Sequence, residues 1–111
     1  DDSKLNQFIE LAKNYGFTTK VGGMFIGINK GCDKGKATQI LLELVNKEYN
    51  DIVSLGLGDS PNDFPFLEVC DHACLVQRPD GSYASDNYDH ADGIGPVGWN
   101  EYVNDYLDKY L

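Results

Sequence analysis

The stretch 52–63 reads IVSLGLGDSPND, and the interpretation of the whole chain starts from it. Its apolar first half predicts a buried strand over 52–57, and its second half predicts a loop that leads into a helix. Asp59 and Asp63 therefore follow the carboxyl end of a strand, which is where open α/β sheets bind their ligands. Carboxylate oxygens in such a position are suitable ligands for a hard cation such as Mg²⁺.

Helices and buried strands alternate from residue 34 onward. Helical periodicity covers 34–48, 62–69 and 96–111, whereas 52–57 and 73–77 have the apolar character of buried strands. This alternation predicts an α/β fold in which helices cover parallel strands. Residues 78–95 are rich in Asp, Gly, Ser and Tyr and predict a loop. Because two strands do not form a stable parallel sheet, we expect another polypeptide segment to supply the remaining strands.

The first 30 residues follow a different pattern. They predict a helix over 3–15 and an antiparallel pair of strands over 17–20 and 24–29. Gly22 and Gly23 lie between these strands, where they predict a hairpin turn, with a loop that contacts substrate as the alternative. The change of pattern predicts a boundary between residues 30 and 31, with an α+β unit before it.

Composition excludes several classes of partner. The 111 residues include 18 Asp and Glu against 9 Lys and Arg, and no run of five basic residues occurs, so we expect no binding to nucleic acid. No run of 18 apolar residues occurs, so we expect no membrane span. Cys32, Cys70 and Cys74 are odd in number and form no C-x-x-C pair, which indicates reduced thiols in a cytoplasmic protein.

Lys34 and Gly35 are unusual choices for the first turn of a helix. A cation at this position opposes the helix dipole, and a glycine inside a helix costs roughly 1 kcal/mol relative to alanine. Such departures from local preference often mark a functional site. Lys34 can neutralise a phosphoryl group or a carboxylate, and the alternative is an exposed lysine that pairs with Asp33.

Lys34-Gly35 followed by the run Gly58–Asp63 resembles two motifs of the haloacid-dehalogenase superfamily of phosphatases. The resemblance implies a Rossmann-like core and a phospho-aspartate mechanism that depends on Mg²⁺. It implies that Asp59 binds Mg²⁺ directly, and that Asp63 holds the metal through water or a second layer of contacts. It further implies that Lys34 neutralises the nucleophile and phosphate. The candidates for contacts with substrate are Lys34, Ser60, Asn62, Gly22 and Gly23, and a hydrogen bond within the turn is the alternative for Ser60.

The tail of the chain is similar to one subfamily. Residues 79–83 (PDGSY) and 95–101 (GPVGWNE) resemble the C-terminal part of mannosyl-3-phosphoglycerate phosphatases and their capped relatives. The implied substrate is a phosphorylated sugar or a glycosyl-3-phosphoglycerate. The implied domains are the end of an α+β cap over 1–30 and the C-terminal half of the core over 31–111. Trp99 lies on an apolar stripe of the last helix, which predicts a place in the core.

Two departures from the family pattern limit the expected activity. The Asp-x-Asp motif that supplies the nucleophile occurs nowhere in the sequence, so we expect an inactive C-terminal fragment. Relatives often carry arginine in the cap, where this chain has Gly23-Met24-Phe25.

In such a fragment, the strand over 52–57 would expose an edge formed by Ile52, Val53 and Leu55. We therefore expect self-association, or reassembly with the missing N-terminal half.

The sequence leaves two other functions open. Gly58-Asp59-Ser60 resembles the nucleophile block of the GDSL-type esterases. However, Asn87 stands three residues before His90, where those enzymes have aspartate. The second alternative is a non-catalytic module of the same fold that binds a cation or a partner.

Overall fold

The computed structural model describes residues 1–22 and 24–111. It divides into two compact units, 1–33 and 34–111. The assignment of the first unit to a cap and of the second to a phosphatase core, with a boundary after residue 30, stays a prediction. Among the described residues, no helix is long and apolar enough to cross a membrane.

The first unit contains one helix and a two-stranded antiparallel sheet. Helix α1 spans Asp2–Asn14 and begins at Asp1, whose carboxylate accepts a hydrogen bond from the Ser3 amide at 3.0 Å. Strands β1 (Thr18–Gly22) and β2 (Phe25–Asn29) pair antiparallel. The predicted helix and strand pair are therefore confirmed. Gly22 ends β1 opposite Phe25, whereas Gly23 lies outside the described residues.

The second unit is an α/β layer structure, as the sequence predicts. Its elements are α2 (Lys34–Glu48), β3 (Leu55–Gly58), a single 3₁₀ turn (Pro61–Asp63), α3 (Phe64–Leu67), β4 (His72–Gln77), β5 (Asp89–Ile94) and α4 (Pro96–Tyr110). The sheet has the order β3-β4-β5, and both pairs of strands are parallel. The carboxyl ends of all three strands therefore share one edge of the sheet.

The core of this unit forms around the central strand β4. Cys74, Leu75 and Val76 are buried there, and Leu67 of α3 and Ala91 of β5 are buried as well. Burial raises the pKa of the Cys74 thiol to about 12, with the nearby Asp89 carboxylate as a smaller cause. All three cysteines are free thiols.

Two sequence predictions about strands are wrong. Residues 89–94 form β5, although the run DHADGI has no alternation and only one strongly β-forming residue, Ile94. Pairing with β4 determines this strand, and Ala91 is its one buried residue. Strand β3 begins at Leu55 rather than at residue 52. The Ser54 amide instead donates to the Asp71 carboxylate at 2.8 Å, and the Val53 side chain is exposed.

The predicted helix over 62–69 is present in a shorter form. The 3₁₀ turn Pro61–Asp63 precedes α3, which spans only Phe64–Leu67. Proline lies in the first turn of each element, where its missing amide proton is not needed. The chain thus leaves β3 through a tight turn, and this turn positions the side chains described next.

Candidate active site

The candidate site lies in the turn that follows β3, at the carboxyl edge of the sheet. The strand ends at Gly58, and the chain passes through Asp59 and an extended Ser60 before the turn begins at Pro61. The short turn brings Asp63 back beneath the strand end, so Asp59 and Asp63 lie in one loop. The structure thus places the two aspartates in the same loop, as their spacing in the sequence predicts.

Asp63 holds this loop together. One carboxylate oxygen, Oδ2, accepts hydrogen bonds from the backbone amides of Asp59 at 3.0 Å and Ser60 at 3.2 Å. The other oxygen, Oδ1, accepts a hydrogen bond from Lys34 Nζ at 2.6 Å. Only 6% of the Asp63 surface is exposed. A buried carboxylate of this kind requires several donors, and the loop and Lys34 provide them.

Lys34 is brought to the loop by the first turn of α2. Its ammonium group forms an ion pair with Asp63, and it lies 5.9 Å from the centre of the Phe66 ring. About half of the side chain, 53%, remains exposed. The unfavourable position of a cation at a helix N-terminus is thus compensated by the carboxylate across from it. The alternative prediction paired this ammonium group with Asp33, whereas the ion pair that it forms here is with Asp63.

The electrostatics of the pair favour an ionised Asp63. Burial alone would raise the pKa of this carboxyl group. The hydrogen bond from Lys34, the amides of Asp59 and Ser60, and the lysine charge together outweigh burial and lower the pKa below its usual value. Asp63 therefore remains an acceptor and is not a proton donor near neutral pH.

Asp59 differs from Asp63 in its surroundings. It is exposed, and within the described residues no hydrogen bond or ion pair engages its carboxylate. Both oxygens of Asp63, by contrast, are already occupied. The chemistry of these residues fits a hard cation such as Mg²⁺, for which the Asp59 carboxylate would be available as a ligand while the Asp63 carboxylate supports the loop. The described residues contain no cluster of three metal-binding side chains, so further ligands would have to come from water, substrate or another segment.

Four other residues are predicted to contact substrate, and they belong to different parts of the chain. The Ser60 hydroxyl donates a hydrogen bond to the side-chain oxygen of Asn62, so both side chains are engaged within the turn. Gly22 belongs to the first unit, and Gly23 lies outside the described residues. Contacts of these four residues with substrate stay predictions.

A pocket of about 410 Å³ adjoins the loop on the side of α4. Trp99 lines it and is 52% exposed, so the expected burial of this residue in the core is wrong for this chain. The start of α4 is a part of the site that the sequence did not predict. The available signal was the pair Gly95-Pro96, which marks the start of a helix. It directly follows β5, and the sequence had predicted a loop in place of that strand. The pocket is lined by Leu57, Gly58, Asp59, Asp63, Val76, Gly95, Pro96 and Trp99.

These features define an α/β protein with a carboxylate and lysine site at the carboxyl ends of parallel strands. Residues 1–80 match the model of the haloacid dehalogenase-like hydrolase family, and the chain belongs to this family. It is 39% identical over 113 aligned positions to the glucosyl-3-phosphoglycerate/mannosyl-3-phosphoglycerate phosphatase of Methanococcoides burtonii, and the alignment covers 98% of this chain and 42% of that protein.

A second relative and a solved structure support the same assignment. The phosphatase of the same name from Persephonella marina is 35% identical over 108 positions, which cover 93% of this chain and 40% of that protein. The crystal structure of Thermoplasma acidophilum 0175 superimposes with a TM-score of 0.69 at 25% identity, over 97% of this chain and 46% of that one. The chain therefore spans less than half the length of the proteins that it matches.

Proposed function

We propose that this chain is part of a Mg²⁺-dependent phosphatase that acts on a phosphorylated sugar or a glycosyl-3-phosphoglycerate. In this proposal the chain supplies the residues that hold the metal and neutralise charge. One observation carries the proposal: the exposed carboxylate of Asp59, which has no partner among the described residues, lies in the same loop as Asp63, and Asp63 forms an ion pair with Lys34. Transfer of a phosphoryl group depends mainly on positioning and charge neutralisation, and these are the roles such a loop can perform.

Each residue has a distinct role in this proposal. Mg²⁺, when bound, would neutralise negative charge on the phosphoryl oxygens and would be held by Asp59. Lys34 uses one of its three N–H groups to bind Asp63, and its exposed half leaves the others available to a phosphoryl oxygen. Asp63 orients the lysine and, through the amides of Asp59 and Ser60, fixes the loop. It is thus a positioning residue.

The substrate class rests on the relatives. The proteins from Methanococcoides burtonii and Persephonella marina are named for glucosyl- and mannosyl-3-phosphoglycerate, and a relative from Pyrococcus furiosus is named for mannosyl-3-phosphoglycerate. A phosphorylated sugar acid carries several negative charges, whereas the chain has a formal net charge of −9. Local cations such as Lys34, together with a bound metal, would offset this repulsion.

The catalytic nucleophile is expected from another polypeptide segment. No Asp-x-Asp sequence occurs in these 111 residues, and the described part of the chain contains no group of three His, Cys, Asp or Glu side chains that could hold a metal. We propose that this chain reassembles with the N-terminal part that its relatives possess, or else associates with itself. The proposed compartment is the cytoplasm, since the three cysteines are free.

The test compares the chain alone with a chimera. In the chimera, this chain replaces the matching 42% of the Methanococcoides burtonii relative. Release of phosphate from glucosyl-3-phosphoglycerate and from a panel of sugar phosphates is measured with Mg²⁺ and with EDTA. We expect no turnover by the chain alone, and turnover by the chimera that EDTA abolishes.

Matched variants distinguish the possible outcomes. Turnover by the chain alone that exceeds that of a Lys34→Ala, Asp59→Asn double variant would show that the nucleophile lies in this chain. A folded chimera that binds Mg²⁺ but releases no phosphate would favour the non-catalytic module. Activity of the chimera that Asp59→Asn leaves unchanged would refute the assigned metal ligand.

A further inference from the structure

We call the turn 59–63, which follows β3, the Asp59 loop. A second pocket lies at the opposite end of the strands, near their amino ends. Its volume is about 270 Å³, and His72, Tyr102, Tyr106 and Tyr110 contribute to its wall. His72 is the first residue of β4, and the three tyrosines follow one another at intervals of four residues along α4. Since the strands are parallel and α4 begins beyond their carboxyl ends, its last turns return to their amino ends. We call this the tyrosine pocket.

Three rings of the tyrosine pocket, those of His72, Tyr106 and Tyr110, form one connected aromatic group. The centres of the Tyr106 and Tyr110 rings lie 4.6 Å apart, and the His72 ring lies 5.2 Å from Tyr106 in an edge-to-face arrangement. His72 also lies 6.3 Å from Tyr110. Several electron-rich rings around one space are the arrangement in which proteins hold ammonium groups, because the ring faces attract positive charge.

Two carboxylates line the same pocket. Asp89, the first residue of β5, accepts a hydrogen bond from the Tyr102 hydroxyl at 3.2 Å through one oxygen, Oδ2. Asp105 of α4 is exposed, and its carboxylate has no partner among the described residues. The pocket also lies at the C-terminal end of α4, where the helix dipole favours a cation. Rings, carboxylates and dipole thus all favour the same sign of charge.

The structure already contains one contact of the expected kind. Lys109 lines the pocket, and its ammonium nitrogen lies 5.2 Å from the centre of the Tyr110 ring. An inorganic ion is a poorer candidate, because the described residues contain no group of three His, Cys, Asp or Glu side chains that could hold a metal. A volume of this size accommodates an alkylammonium group instead.

We propose that the tyrosine pocket binds a small organic cation, an alkylammonium compound of about the size of choline. The aromatic rings contact its methyl or methylene groups, and Asp105 with the free oxygen of Asp89 balances its charge. Lys109 opposes binding through its like charge. The proposal is independent of the proposed phosphatase activity, because the tyrosine pocket shares no residue with the Asp59 loop.

The first experiment titrates the full chain with choline and follows the tyrosine ring protons by NMR at constant ionic strength. A parallel titration uses the neutral alcohol in which carbon replaces the nitrogen of choline. We expect saturable shifts with choline, and binding of the neutral analogue that is weaker by about fivefold. Equal affinity for both compounds, or no saturable shift with choline, would refute a cation site.

The second experiment uses variants that reverse or remove single charges. Asp105→Asn should weaken choline binding by about threefold, and Lys109→Met should strengthen it by a similar factor. Asp108→Asn is the matched control, since Asp108 lies on α4 but does not line the pocket, and it should change the affinity by less. The opposite order, with stronger choline binding after loss of Asp105, would contradict the proposal that this carboxylate balances the charge of the cation.

A third variant tests the aromatic wall. Tyr106→Leu should weaken choline binding to about the level of the neutral analogue, whereas Tyr49→Leu, at an exposed tyrosine beyond the end of α2, should have no effect. If Tyr106→Leu unfolds the chain, the comparison of choline with its neutral analogue still decides the proposal. Unchanged binding by a folded Tyr106→Leu protein would contradict it.

Discussion

Gly58 and Asp63 are packed so closely that no side chain fits between them. A Cβ atom on Gly58 would lie 2.6 Å from the Cβ of Asp63 and 2.8 Å from its Oδ2. The same oxygen accepts the amides of Asp59 and Ser60. The bare backbone of Gly58 is thus a condition for the hydrogen bonds that shape the loop.

Gly58→Ala should therefore displace the Asp63 carboxylate and destabilise the chain by about 2 kcal/mol, as overpacking does elsewhere. The measurement is urea denaturation followed by circular dichroism. Gly81→Ala provides a comparison, because it combines a positive φ with open space and tests backbone strain without a clash. A Gly58→Ala chain as stable as the original would show that the loop can adjust without loss.

The three charged residues of the candidate site, Lys34, Asp59 and Asp63, should differ in their effects on activity. In the active chimera, Asp59→Asn should lower kcat/KM by more than about a hundredfold, and Asp63→Asn should lower it by about tenfold to a hundredfold, because the latter residue acts through others. Lys34→Ala should cost about a hundredfold, since charge that develops on the phosphoryl group is left without compensation. Initial rates at saturating Mg²⁺ measure all three. A larger loss with Asp63→Asn than with Asp59→Asn would reverse the assigned roles.

The lowered pKa of Asp63 predicts a pH dependence of stability. The carboxyl group protonates in the unfolded chain near pH 4, but only at lower pH in the folded chain. Its stabilising contribution is therefore complete above about pH 4 and is lost as the pH falls through the folded-state pKa. The free energy of unfolding of the chain minus that of Asp63→Asn should be constant near neutral pH and should decrease as the pH falls from about 4 to about 2. A constant difference over this range would contradict the lowered pKa.

The contact between helix α4 and strand β5, like the contact of Gly58 with Asp63, leaves no room for an added methyl group. A Cβ atom on Gly98 would lie 2.4 Å from the carbonyl oxygen of Gly93, whose own φ is +131°. Gly98→Ala should thus move α4 away from the sheet and cost about 2 kcal/mol in urea denaturation. Asn104→Ala, at an exposed position of the same helix, is the control and should be nearly neutral. Equal stability of the two variants would show that the contact of Gly93 with Gly98 adapts easily.

The edge of β3 predicts association. In the described sheet β3 pairs only with β4, so its other edge presents free backbone groups. We expect concentration-dependent light scattering by the chain, and less scattering after addition of the unmatched part of the Methanococcoides burtonii relative. A monodisperse monomer that does not bind this part would contradict the proposal. The edge is shorter than the sequence suggested, because Ile52 and Val53 precede the strand.

The sequence predicts elements well where local chemistry determines them. Helices α1, α2 and α4 were predictable from apolar spacing, and β4 from its continuous apolar run. Strand β5 was not, because Asp89, Asp92 and Gly93 favour loops and only pairing with β4 makes the segment a strand. The candidate residues of the loop were recognised from spacing. Their division into a hydrogen-bonded Asp63 and an Asp59 with no partner among the described residues was not, because it depends on one hydrogen bond from Lys34 of α2 and two from the loop amides.

The single tryptophan of the chain, Trp99, lies near the start of α4 and is half exposed. Tyr106 and Tyr110 lie at the other end of the same helix. The helix has 15 residues, so the two ends are separated by about 20 Å of rigid backbone. The molecule therefore contains two optical probes that report on opposite edges of one sheet. Covering the pocket beside the Asp59 loop should shift the tryptophan emission to shorter wavelength, and filling the tyrosine pocket should change only the tyrosine signal.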